Sequence, residues 1–311
     1  MSGIFGSGVK AVYQIQSAFS TFPSSGTWIP LSAYEHSDGE TEPREVDPLL
    51  GRAGFNRRDP EASAPGLPQG GGAKVVPICL REHGWWLTAC FGEPETTEDD
   101  GVFTHVWESG ADVIPTLAQS KFLATGSYLR SRGVCVDTYA LNLAKEAGYP
   151  RASLGLMLRD EAANASEVTG TIAEPYNLLR APAATPFVRI DNTPRGVTAV
   201  TFNYANQTQR FDPLNGGPYP EALDAEDALV NGSMTWRAGD ATMDGLASAS
   251  TPFKAEFGYL IAGGLGPGLD ASITWEVSRA IFDKGPLAIS GRGRVIQTRN
   301  FQGEQTNDAP A

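Results

Sequence analysis

The stretch Arg132-Gly-Val-Cys-Val-Asp-Thr-Tyr-Ala-Leu-Asn-Leu143 alternates in character along its length, as a β-strand with two patterned faces does. Tyr139, Leu141 and Leu143 fall on one face; Val134, Val136, Thr138 and Ala140 fall on the other. A related line recurs as Arg195-Gly-Val-Thr-Ala-Val-Thr-Phe-Asn-Tyr204. At an offset of 63 residues, Arg132, Gly133, Val134 and Thr138 meet identical residues, and Tyr139 meets Phe202. On the shared face only Asp137, opposite Val200, breaks the match. Such an echo predicts one β-unit used twice, and so points to architecture before chemistry.

The rest of the chain reads as short strands parted by turns. Residues 8–31 hold a short mixed segment, from Val9, Val12 and Ile15 to Trp28 and Ile29, interrupted by Ser24-Ser-Gly26. A long polar region, Ala33 to Lys74, follows, with five prolines, the basic step Arg57-Arg58 and the run Gly70-Gly-Gly72. A structureless loop of this length is unusual inside a compact domain. The region reads either as a mobile insertion or as an arm that orders against a neighbouring subunit. Cys79 to Phe91 fits a short amphipathic helix, with Trp86/Cys90 and Leu87/Phe91 as i,i+4 pairs and Gly92 as its stop. Glu93 to Asp100 is a solvated acidic loop, and Phe103, His105 and Trp107 alternate as a strand. Leu154, Leu156 and Leu158 share one face of the next strand.

Residues 161–184 read as the connection between two halves. In the second half, strands are expected at Phe187–Asp191, at the echo, at Gly232–Arg237, at Ser272–Ser278 and near Gly293–Phe301. Gly232–Arg237 is the natural answer to Leu154–Arg159, and 211–228 reads as a loop. A short helix is expected over Ala241–Phe253, with Met243, Leu246, Ala247 and Phe253 on one side. The fold class expected is mainly β, with short flanking helices and a long loop or arm. It divides into two tandem β-sandwich or β-barrel domains: 1–185, which includes the loop 33–74, and 186–311, which ends in a polar tail.

With 311 residues the chain is long for one core and comfortable for two. Twenty-four basic against 36 acidic residues give −12, a poor balance for gripping phosphate backbones. Cys79, Cys90 and Cys135 are odd in number and widely spaced, so they are expected as buried free thiols. The N-terminal residues do not form a signal peptide, and no run approaches the ~18 apolar residues of a membrane helix. A cytosolic origin with no membrane partner is therefore expected.

Candidates for chemistry are thin. His36 sits in the polar loop, His83 on what reads as the exposed side of a helix, and His105 between aromatics on a strand. The chain has neither a Gly-x-Ser-x-Gly elbow nor a phosphate-binding Gly-x-x-x-x-Gly-Lys-Ser/Thr. Gly263-Gly-Leu-Gly-Pro-Gly268 has the wrong spacing for a nucleotide loop and reads as a hairpin. Cys79, His83 and Cys90 match no standard zinc spacing and lack a fourth ligand. The acidic run Asp224-Ala-Glu-Asp227 has no aromatic sugar platform beside it. No catalytic residue, metal ligand or cofactor site is assigned, and the chain is not expected to be an enzyme.

The order of elements resembles the tail tube proteins (major tail proteins) of long-tailed, non-contractile bacteriophages. The resemblance is carried by Thr27-Trp-Ile-Pro-Leu31, Arg57-Arg58, the step Gly70–Ala73 into the Leu80–Gly92 helix, and Phe103-Thr-His105. It continues through Ile114-Pro-Thr116, Tyr128-Leu-Arg-Ser-Arg-Gly133 leading into Val134–Leu143, and Val230-Asn-Gly-Ser-Met-Thr-Trp236 ahead of the 241–253 helix. It spans residues 10 to 300, and the order and spacing of the motifs together carry it. The resemblance implies a virion protein, made and assembled in the host bacterial cytoplasm. Its β-sandwiches, each with a flanking helix, close a barrel around a channel through which the genome passes without specific binding. Versions with a duplicated domain form trimeric rings that mimic hexamers, and the echo fits that version. The partners implied are further copies of the chain, a tape measure protein, and tail terminator and distal tail proteins. The long arm would staple ring to ring, and an acidic lumen would repel DNA. The alternatives are a tail terminator or neck component, or a carbohydrate- or receptor-binding tail accessory protein.

Overall fold

The structure, a computed structural model, describes residues 9–46, 63–182, 185–266, 269–285 and 294–305. In chain order its first half gives β1 (Lys10–Ile15), β2 (Thr27–Pro30), β3 (Glu35–His36), β4 (Gly39–Thr41), β5 (Arg44–Val46), β6 (Ser63–Pro65) and β7 (Gln69–Pro77). Then come α1 (His83–Phe91), β8 (Glu95–Asp99), β9 (Val102–Val106), β10 (Leu117–Ala124), β11 (Ser127–Ala144), β12 (Arg151–Leu158), β13 (Asp160–Asn164) and β14 (Thr171–Ile172). The second half gives β15 (Pro186–Ile190), β16 (Thr193–Pro194), β17 (Val197–Ala205), β18 (Gln209–Phe211), β19 (Ala222–Asp224) and β20 (Leu229–Arg237). It closes with α2 (Ala241–Ala249), β21 (Phe253–Gly266), β22 (Leu269–Phe282) and β23 (Ile296–Gly303). The mainly β class expected from the sequence is what the chain adopts.

One antiparallel sheet crosses both halves, in the order β3/β4–β7–β12–β11–β17–β20–β23. β21 and β22 lie over its buried face, with Trp275 6.3 Å from Tyr139 and Phe257 5.4 Å from Phe202, ring centre to ring centre. β22 rejoins β23 at Ala280–Phe282, which links the two layers at a corner. Another sheet is built by β1, β10, the first part of β11, and β13. One apolar cluster runs through the whole, from Tyr13, Val76 and Trp86 to Phe202, Trp236, Trp275 and Phe301.

The pairing pattern occurs twice. In the first half β1 pairs with β10, β10 with β11, β11 with β12, β12 with β7, and β7 with β3/β4. In the second, β15 pairs with β21, β21 with β22, β22 with β23, β23 with β20, and β20 with β17. A helix follows β7 and another follows β20. A separate hairpin, β5–β6 or β18–β19, precedes each of those strands.

This order corrects the echo. β11 corresponds to β22 and β17 to β3/β4, while Gly232–Arg237 of β20 answers β7 and not Leu154–Arg159. The echo strands are direct neighbours, with Tyr139 opposite Tyr204 and Leu141 opposite Phe202. Their likeness records a shared environment, the middle of one sheet with one face buried. The assignment of faces changes too. The ladder shifts between Val136 and Thr138, so Asp137 is the extra residue of a β-bulge. An extra residue inverts the alternation beyond it, and Val134, Val136, Tyr139, Leu141 and Leu143 all enter one core.

Other expectations change for equally local reasons. The 33–74 region is no single loop: it holds β3 to β6, and its last residues belong to β7. Arg57-Arg58 lies outside the described residues. α2 stops at Ala249, with Ser250 at φ 49°, and Phe253 is buried from a strand. The start of α2 is fixed by Asp240, whose carboxylate accepts from the Thr242 and Met243 amides. Segments read as connections contain the short strands β13, β14, β18 and β19.

Candidate functional site

The outward face of the long sheet is built in cross-strand rows. Asn142, Thr201, Ser233 and Asn300 form one row; Ala144, Ala199, Thr235 and Thr298 form the next. Ser153, Ala140, Asn203, Asn231 and Gln302 form a third. These side chains are small, half-buried or exposed, and uncharged. They are tied across strands by Thr201 and Ser233 hydroxyls at 2.8 Å, by Thr235 and Thr298 at 2.9 Å, and by Asn203 Nδ2 donating to Asn231 Oδ1 at 3.3 Å. Charge appears at the margins, at Glu35, Arg151 and Arg237. An ordinary solvated face of a chain carrying 36 acidic residues would show carboxylates in these rows. The outward face of β21 and β22 does so, with Lys254 Nζ 2.9 Å from Glu256 and 3.0 Å from Glu276.

Beside the sheet's first edge lies a buried charge cluster. Lys74 on β7 is fully buried, its Nζ donating to the Tyr13 hydroxyl at 2.7 Å and to Gln119 Oε1 at 2.5 Å, 3.3 Å from Asp38 Oδ1. Lys121 Nζ donates to the Asp38 carbonyl at 2.6 Å and pairs with Glu161 at 2.7 Å. Gln119 Nε2 donates to Asp38 Oδ2 at 2.6 Å. Burial pushes the Asp38 carboxyl up, but Lys74 and Lys121 outweigh it and hold the group at about 2. Burial pulls the Lys74 ammonium down to about 8, against the attraction of Asp38. The cluster pins β3 and β4 to β7 and β10. The sequence hides it, because Asp38, Lys74, Lys121 and Glu161 are spread over some 120 residues, and Asp38, Lys74 and Glu161 fall in segments that read as polar connections.

The candidates for chemistry do not assemble. His83 is buried, not exposed: its Nδ1 donates to the Pro77 carbonyl at 3.1 Å and its Nε2 accepts from the Tyr139 hydroxyl at 2.8 Å. Both nitrogens being taken, the set Cys79, His83 and Cys90 has no imidazole to offer a metal. The three thiols are free and buried, as expected. Burial pushes the Cys135 thiol up to about 12. His36 lies 3.9 Å from Asp38, and His105 shares a hydrogen bond with the Thr96 hydroxyl at 2.8 Å on the exposed β8–β9 hairpin. Gly263–Gly266 is the end of β21, where Gly266 pairs with Leu269 of β22; Pro267 and Gly268 lie outside the described residues. Asp137 plays a structural role, its carboxylate accepting from the Thr208 amide at 2.7 Å and its carbonyl from the Asn206 amide at 2.8 Å. It fastens the chain leaving β17 to the bulge of β11.

Among the described residues, what stands out is a sheet surface; no pocket gathers reacting groups. No curated protein matches the chain. A family model described as phage tail tube protein matches residues 6–303. That match takes in the sheet, its margins and both helices, and the chain belongs to the phage tail tube protein family.

Proposed function

We propose that the chain assembles with copies of itself into stacked rings forming a tail tube, and that the uncharged outward face of the β7–β12–β11–β17–β20–β23 sheet lines the channel. The family's role is structural, in the virion tail. The observation that carries the reading of the face is the three uncharged rows of Thr, Ser, Asn and Ala. Such a wall presents uncharged hydrogen-bonding groups, six of them paired across strands, and it neither binds nor repels phosphates strongly. The acidic lumen expected from the net charge is not what this face supplies; a wall without charge takes its place in the proposal. DNA passes along it without a specific site.

The doubled pairing pattern supports two tube domains per chain, with the boundary near residues 185 and 186. It favours rings of three chains that imitate six units. The tape measure protein would occupy the channel during assembly, and terminator and distal tail proteins would close its ends. Electron microscopy of the purified protein, with native mass measurement, tests the reading. Hollow tubes or three-fold rings are expected. A stable monomer that binds glycans would overturn it in favour of an accessory binding protein.

A further inference from the structure

The two halves meet in a strand pair, with Thr138–Ala144 of β11 running against Ala205–Ala199 of β17. In the doubled pattern β17 corresponds to β3/β4 and β11 to β22, and the register extends this to single residues. Ala205 and Ala199 lie opposite Leu229 and Thr235 of β20, as Thr41 and Glu35 lie opposite Gln69 and Val75 of β7. Phe282 lies opposite Phe301, as Val136 lies opposite Leu156. No bulge interrupts the β22–β23 ladder, so Asp283, opposite Asn300 as Thr138 is opposite Gly155, stands where Thr138 stands in the first half, and Lys284 follows it. Asp283 continues the ladder, its amide donating to the Asn300 carbonyl at 2.9 Å.

Two positions in the pattern are thus open within one chain. Among the described residues β3 and β4 pair on one side only, with β7. The end of β22 past Phe282 likewise meets β23 and, among the described residues, nothing beyond it. We infer that the outer edge of β3/β4 in one copy takes the end of β22 from a second copy, repeating between chains the joint that β11 makes with β17 within one. The inference rests on the tube reading above and adds to it the strands that close the ring.

Three features fit this joint. With Asp283 opposite Thr41 in an antiparallel joint, the exposed Lys284 comes opposite the acidic Glu40. The edge is already set in place, because Asp38 is held by Lys74, Gln119 and Lys121; an ordered edge loses little entropy on docking. It is also short and broken at Ser37–Asp38, which limits pairing with wrong strands before assembly.

Paired cysteines test the joint. Thr41→Cys is combined with Asp283→Cys, and in a second variant with Lys284→Cys to cover a shift of one residue. Oxidised tubes are run on a denaturing, non-reducing gel. A ladder of covalent multimers is expected from one of the two pairs and from none of the single variants. The pair Thr138→Cys with Ala205→Cys is the internal control and should close within the chain, leaving no ladder. Tubes that form, with the control closed and no ladder from either pair, would overturn the joint while leaving the tube standing. A chain that assembles in no variant and not as wild type would overturn the tube reading and the joint with it.

Discussion

His83 reads in the sequence as the outer side of a helix, and the structure uses it inside. Its two nitrogens bridge Pro77 at the end of β7 and Tyr139 in the middle of β11. Burial draws the imidazole down from 6.5 to about 4. The unfolded chain takes up a proton near pH 6.5 that the folded chain refuses until near pH 4. Stability from this group is therefore complete above pH 6.5 and is lost as the pH falls towards 4, by about 3 kcal/mol over that window. Urea unfolding of the free subunit at pH 7 and pH 4 checks this. His83→Gln should reduce the loss without abolishing it, because burial also holds His36 at about 4. The residues around it carry no sign of this role: a histidine four residues from Cys79 and seven from Cys90 looks the same whether it faces water or core.

β11 shows what periodicity can and cannot carry. Its existence, its buried Tyr139, Leu141 and Leu143, and the burial of Leu154, Leu156 and Leu158 on β12 follow from alternation alone. The inverted phase at Asp137 does not, since a bulge is fixed by partner strands and these are distant in sequence. Gly133 is a second such point: it holds φ 60° where β11 passes from one sheet to the other, and an added Cβ would lie 2.4 Å from the Phe19 ring. β3 and β4 are shorter than any periodic signal and depend on the buried cluster. Asp38→Ala would leave Lys74 buried beside neutral partners, and a loss of about 3–5 kcal/mol is expected in denaturant unfolding. Adding Lys74→Met should restore part of that loss, because an apolar pair needs no counter-charge. Recovery absent from the double variant would show that the edge needs the hydrogen bonds of Lys74 and not only its neutralisation.

Across the whole molecule, the sequence echo pointed to duplication through the wrong pair of strands. β11 and β17 resemble each other because they are neighbours in the middle of one sheet. The true counterparts, such as β7 and β20, share little beyond their place in the ladder. The hairpin β8–β9 has no counterpart, since only three residues separate α2 from β21. It stands off the body with exposed Glu95, Glu98 and Phe103, and marks the first half as different from the second.

Considered as an electrical conductor, a tube lined by Asn142, Thr201, Ser233 and Asn300 has unusual properties. Fixed wall charge gathers mobile counter-ions, and their current dominates a narrow pore when the bath is dilute, where the screening length reaches about 30 Å. A wall lacking such charge gathers none. Current through an isolated tube set in a lipid bilayer should then fall in proportion to salt concentration down to about 0.01 M, with no low-salt plateau. The reversal potential across a salt gradient should sit near zero for an electrolyte whose two ions move equally fast. Anion or cation preference would place charged side chains on the wall after all, and with them a different face of this chain towards the DNA.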